Sequence, residues 1–197
     1  MGFQARVNRI RGGTNMLSFP KKLNTRRSHR LIQFFLERSN NNWPKKDRDF
    51  SIYWSTSHMT TTAQIMRLLA VSRGLDADIC AIAGAIHDIA TMESGKTENH
   101  MTRSLDYIAP LIREYNESSY VTEETLKITE SEIMLLEEII PQHGRTPKDI
   151  VTENPYVETL KDADSIDRYL QGVEATESEM PRLIKVFSEL GVNIEFI

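Results

Sequence analysis

The chain has 197 residues, 40% of them hydrophobic and 26% charged, with a formal net charge of −4. That length suits one domain with a real core, and no apolar run approaches the roughly 18 residues a membrane span requires. A single cysteine, Cys80, excludes an intramolecular disulfide and points to a reducing compartment. The N-terminus has no short apolar core with a cleavage site, so the expected location is cytoplasmic.

Charge is unevenly spread. Residues 1–36 carry Arg6, Arg9, Arg11, Lys21, Lys22, Arg26, Arg27 and Arg30 with no acid before Glu37. Residues 1–40 therefore read as a basic arm, partly disordered, with a short helix. Its charge also suits contact with nucleic acid or anionic lipid, and an Arg-rich, acid-free leader is similar to an organelle transit peptide. Met16 is an alternative start. Residues 41–197 read as the folded domain, with a core over about 50–172.

Everything after the arm reads as helix and loop. "SHRLIQFFLER" (28–38) is a short apolar helix with Ser28 as N-cap, and "SNNNWPKKDRDFS" (39–51) is a polar linker. From Ser57, Ile65, Leu68, Leu69 and Ser72 follow helical spacing, and Gly74 ends that helix. Asp76 caps the next helix, 77 to about 90. Residues 93–98 form a loop, and a helix from about 98 to 114 carries Leu105, Ile108, Leu111 and Ile112, with a kink expected at Pro110. "TESE" (129–132) has the form of a capping box. Pro141 and Gly144 close its helix around His143. Asn154 and Pro155 open another helix, and a last one spans about 177–190. No convincing strand, repeat or glycine-rich phosphate loop is present. The expected fold is all-α, an irregular bundle of six to eight helices.

"CAIAGAIHDIAT" (80–91) poses the chemical question. His87 and Asp88 interrupt an apolar run, where an ionisable group costs free energy unless paired or bound to a metal. Of the five histidines, His58, His87, His100 and His143 lie at helix ends or beside breakers in the acidic part of the chain. The short loop after Gly74 brings the helices bearing His58 and His87 together. A later carboxylate completes the set. In "LKDADSIDRYL", Leu160, Asp164 and Asp167 share a helical face. Asp162 lies about 200° from Leu160. Asp164 is therefore the preferred ligand, Asp167 a supporting residue and Asp162 the fallback. Taken alone, a histidine at a helix end is commonly a cap or dipole partner, and a carboxylate on a helix is commonly solvated; the ordered set carries the reading. Two imidazoles and two carboxylates suit a divalent Mn, Fe, Co, Ni, Zn or Mg ion, with open positions for catalysis.

The set "SHMTTTAQIMRLLAVSRGLDADICAIAGAIHDIA … LKDADSIDRY" resembles the HD superfamily of metal-dependent phosphohydrolases, whose pattern is H…HD…D on a helical core. The resemblance matches His58 to the first histidine, His87 and Asp88 to the eponymous pair, and Asp164 to the last aspartate. It implies hydrolysis of a phosphate ester or anhydride, most often of a nucleotide, with His87 and Asp88 at the catalytic centre and Asp88 also a candidate proton acceptor. Some members carry two further histidines and a second metal; His100 and His143 lie in the corresponding interval, so one or two ions are expected. Members with the longer HD-I-G-K form have Gly and Lys where this chain has Ala90 and Thr91. Lys96 and Arg103 are candidates to meet a phosphate instead, and Glu93 and Glu98 to act as acid or base, though each also suits a solvated surface. A non-catalytic nucleotide- or metal-binding regulatory module and a binuclear iron oxygenase are the competing readings.

Overall fold

The computed structural model describes residues 22–43, 46–144 and 151–192, and these are all-helical. The helices are α1 (Arg26–Asn42), α2 (Ile52–Arg73), α3 (Ala77–Ile86), α4 (Ile89–Ser94), α5 (His100–Arg103), α6 (Leu105–Glu117), α7 (Glu130–Ile139), α8 (Pro155–Leu170) and α9 (Met180–Glu189). Seven of them, all but α4 and α5, have ten residues or more. The described residues contain no strand.

Local chemistry sets most boundaries. The Ser51 side chain accepts from Trp54 N–H at the start of α2, and Asp76 accepts from Asp78 and Ile79 N–H at the start of α3. Thr129 and Glu132 form the reciprocal capping box of α7. Asn154 caps α8, with Pro155 at its first position, where no N–H is needed. Gly74 closes α2 at φ 69° and Gly95 closes α4 at φ 78°, conformations that favour glycine.

Three helices form the centre of the molecule: α2, α3 and α8 pack on one another. Asp78 and every residue from Ile79 to Ile86 are buried, as expected of a helix apolar on all sides. Gly84 lets α2 approach, since a Cβ there would sit 2.9 Å from the Ala63 Cα. α1 packs on α3 and on α6, where Phe34 meets Tyr115; α6 packs on α7, and α9, with Leu183 and Val186 buried, packs on α8.

Several boundaries differ from the expected ones. α1 begins at Arg26, so Ser28 is not its cap; the Ser28 hydroxyl is buried and donates to Asp78 Oδ1 at 2.5 Å. α1 also runs through Asn42 into the stretch expected as linker. α2 begins at Ile52, which puts His58 in its second turn. α3 stops at Ile86, so His87 and Asp88 occupy the break before α4, and α4 reaches Ser94 inside the expected loop. The single helix expected over 98–114 is divided at Ser104 into α5 and α6. α9 begins at Met180, later than expected. Leu68 and Leu105 were expected on core faces, but both are exposed. Residues 1–21 of the arm lie outside the described residues.

Candidate metal centre

The break after α3 turns His87 inward and leaves Asp88 between two groups of imidazoles. On one side stand His58 from α2 and Asp164 from α8. His58 Nε2 lies 3.1 Å from His87 Nε2 and 3.3 Å from Asp164 Oδ1. Asp88 Oδ2 is 3.8 Å from both His58 Nε2 and His87 Nε2. On the other side, Asp88 Oδ1 faces His100 Nε2 at 3.3 Å and His143 Nε2 at 3.6 Å. One carboxylate therefore divides its two oxygens between two pairs of histidines.

The second nitrogen of each ring explains this convergence. His87 Nδ1 lies 2.8 Å from Gly84 O, His100 Nδ1 2.7 Å from Thr97 O, and His143 Nδ1 2.6 Å from Ile140 O. Each acceptor is the carbonyl three residues earlier. A carbonyl oxygen only accepts, so Nδ1 carries the proton in all three rings. His58 Nδ1 lies 2.5 Å from Asp167 Oδ2 and donates to that carboxylate. In the neutral form, all four rings thus present the Nε2 lone pair to a common centre, the tautomer a metal-ligating histidine requires.

Metal-free, this arrangement is electrostatically awkward, and the proton affinities show how it is accommodated. Burial lowers the pKa of His58, but Asp164 and Asp167 outweigh it and hold the group up at about 9. His87 has the opposite balance: burial, together with the charges of His58 and His143, pushes it down to about 4 despite Asp88. A proton on His58 Nε2 donated to His87 Nε2 relieves the contact between the two nitrogens. Asp88 would be raised by burial, but His87, His143 and His58 hold it well below the usual carboxylate range. With the His58 proton displaced, the donor set fits a divalent cation: neutral nitrogens and ionised oxygens, fixed in direction and at ligand spacing. His58, His87 and Asp164 form one group able to hold such an ion, and His87, Asp88 and His143 another.

The centre opens on one side. The side chains of His58 and His87 are 2% and 1% exposed, whereas Asp88 is 18% and His100 23% exposed. Behind His58 runs a ladder of rings, Trp54 stacking on the imidazole at 4.7 Å between centroids and Phe50 on Trp54 at 4.3 Å.

Other candidates lie elsewhere. Asp162 points away from the centre and pairs with Arg73 at 2.6 Å and with Arg182, so it is not needed as a replacement for Asp164. Lys96 is on the surface between Asp47 and Asp49. Arg103 donates to the Glu98 carbonyl at 3.2 Å, and Glu93 pairs with Arg38. His29, on α1, faces Arg67. The sequence reading passed over the carbonyls of Gly84, Thr97 and Ile140, because a backbone acceptor leaves no mark on residue identity. A hint was available only at His143, where Pro141 and Gly144 close the helical run.

Among the described residues, no helix is long and apolar enough to cross a membrane. Neither a curated protein nor a solved structure matches the chain significantly. The family model of the HD domain matches residues 56–169, more than half the chain, from the turn before His58 to the turn after Asp164. The chain belongs to the HD-domain family, within a superfamily of metal-dependent hydrolases.

Proposed function

We propose that the protein is a metal-dependent phosphohydrolase acting on a phosphate ester or anhydride, with nucleotides or related small molecules as substrates. The observation that supports this most directly is Asp88, whose two oxygens are shared between the His58–His87 and His100–His143 pairs. On this reading His58, His87, Asp88 and Asp164 hold a first divalent ion, and Asp88, His100 and His143 help to hold a second. Bound there, such ions supply Lewis acidity toward phosphoryl oxygens and activate water as a nucleophile.

The protein's own groups have three tasks. The Nδ1 acceptors keep the rings oriented, so no reorganisation is required when substrate arrives. Asp88, at the open side and held ionised by the imidazoles around it, offers one oxygen to each histidine pair; with a single ion bound, the oxygen facing His100 and His143 would be free to take a proton from the attacking water. The buried wall of α2, α3 and α8 keeps bulk water from the inner face and leaves one direction of approach.

The test is turnover by metal-reconstituted protein on bis-p-nitrophenyl phosphate and a nucleotide panel, each assayed with Mn, Co, Ni, Zn, Fe and Mg. Release of p-nitrophenol from the diester, or of phosphate or nucleoside from a nucleotide, that stops on chelation is the expected result. Thermal stabilisation by a nucleotide without product would replace the proposal with a regulatory binding module. Activity only with iron, reductant and oxygen would replace it with an oxygenase.

A further inference from the structure

We propose that Asp49 and Thr97 form a latch that positions His100, and that this latch sets the affinity of the Asp88–His100–His143 half of the centre for its cation. The inference rests on the two-ion reading above. It begins from a difference between the four histidines. His58 is braced by buried Asp167 of α8, and His87 by the end of α3, which is buried from Asp78 to Ile86. His143 leans on the carbonyl of Ile140, a buried residue. His100 stands on α5, a single turn of four residues with none buried. One turn has no stability of its own, so its direction must come from outside.

That support is visible. The Thr97 carbonyl accepts from His100 Nδ1 at 2.7 Å. Thr97 is itself held by Asp49, whose Oδ2 accepts from Thr97 N at 2.8 Å and from Thr97 Oγ1 at 2.9 Å. Asp49 N donates to Gly95 O at 2.9 Å, which ties the two segments together a third time. Between Thr97 and His100 the backbone turns through Asn99 at φ 52°, a left-handed conformation that asparagine tolerates. The chain Asp49–Thr97–His100–Asp88 thus runs from the surface into the centre. Its ion pairs to Lys96 are exposed and contribute little. Asp49 touches no reacting group and acts through another residue, so it is a positioning residue.

The experiment uses the full chain, metal-free, with Asp49→Ala and Asp49→Asn beside wild type. Calorimetric titration with Mn²⁺ should show the first binding step unchanged and the second weakened by about 10- to 100-fold in Asp49→Ala. Asp49→Asn keeps one oxygen for the Thr97 N–H and should fall between. Asp49 lies on the surface, so melting temperatures should match wild type. A second readout needs no metal. Ring nitrogen NMR above the histidine titration range should show His100 protonated at Nδ1 alone in wild type and as mixed tautomers in Asp49→Ala. An unchanged tautomer, or an unchanged second step, overturns the proposal. A wild type with a single binding step defeats the two-ion reading instead, and the His100 tautomer then decides the latch alone.

Discussion

Asp167 shapes the centre without facing it. Its Oδ2 receives His58 Nδ1–H and, at 2.5 Å, the Gln171 side-chain amide, while Oδ1 is buried with no hydrogen-bond partner among the described residues. A charged acceptor behind a ligating imidazole makes Nε2 more basic and fixes its direction. Asp167→Asn should keep the fold but weaken cation binding by about 10- to 100-fold, measured by titration of the metal-free protein. Retention of wild-type affinity would mean that ring orientation suffices without the carboxylate, through Trp54 stacking and Thr62 Oγ1, which lies 3.4 Å from His58 Nδ1. The residue types at the centre were legible in the sequence, because His87 and Asp88 have no reason to interrupt an apolar run unless something compensates them. Helical periodicity separates the faces of Asp164 and Asp162; in the structure Asp164 Oδ1 lies 3.3 Å from His58 Nε2, while Asp162 is engaged by two arginines.

At the scale of elements, the packing of α2 on α3 places two candidate ligands at once. Gly84 serves it twice, by admitting α2 and by offering its carbonyl to His87 Nδ1. A Cβ at this position meets the Ala63 Cα at 2.9 Å and the Thr62 carbonyl at 3.0 Å, both backbone atoms that cannot swing aside. Gly84→Ala should therefore destabilise the fold by about 1–3 kcal/mol in denaturant unfolding and loosen His87 as the helices separate. A wild-type midpoint would contradict this account of the interface. The caps of α3, α7 and α8 were readable from single residues, since an N-cap is local chemistry. The breaks at His87 and Ser104 were not, because propensity continues through both positions and tertiary contacts decide where the helix stops. The Asp49–Thr97 latch was invisible for the same reason: its partners lie 48 residues apart in what reads as linker and loop.

Over the whole molecule, a second buried polar system joins α8 to α9 away from the metal centre. Arg182 bonds Glu158 at 2.9 Å and also Asp162, while fully buried Lys161 lies 3.4 Å from Glu158. Burial would raise the Glu158 pKa, but the Thr152 N–H, Arg182 and Lys161 lower it below its ordinary 4.5. A depressed carboxylate stabilises the fold at pH values above its unfolded pKa, and that contribution fades as pH falls through the folded value. Thermal stability should thus decline below pH 4.5, and Glu158→Gln should flatten that acid limb. An unchanged limb would assign acid sensitivity to other carboxylates. This system ties α9 to α8.

Whether one carboxylate, Asp88, organises a metal centre is tested by elemental analysis of purified, reconstituted wild-type protein beside Asp88→Ala. The account predicts about two divalent ions per chain in wild type, lost from the variant while its helical content is retained. Wild-type protein that binds no metal, or Asp88→Ala protein that keeps the full complement, would contradict it.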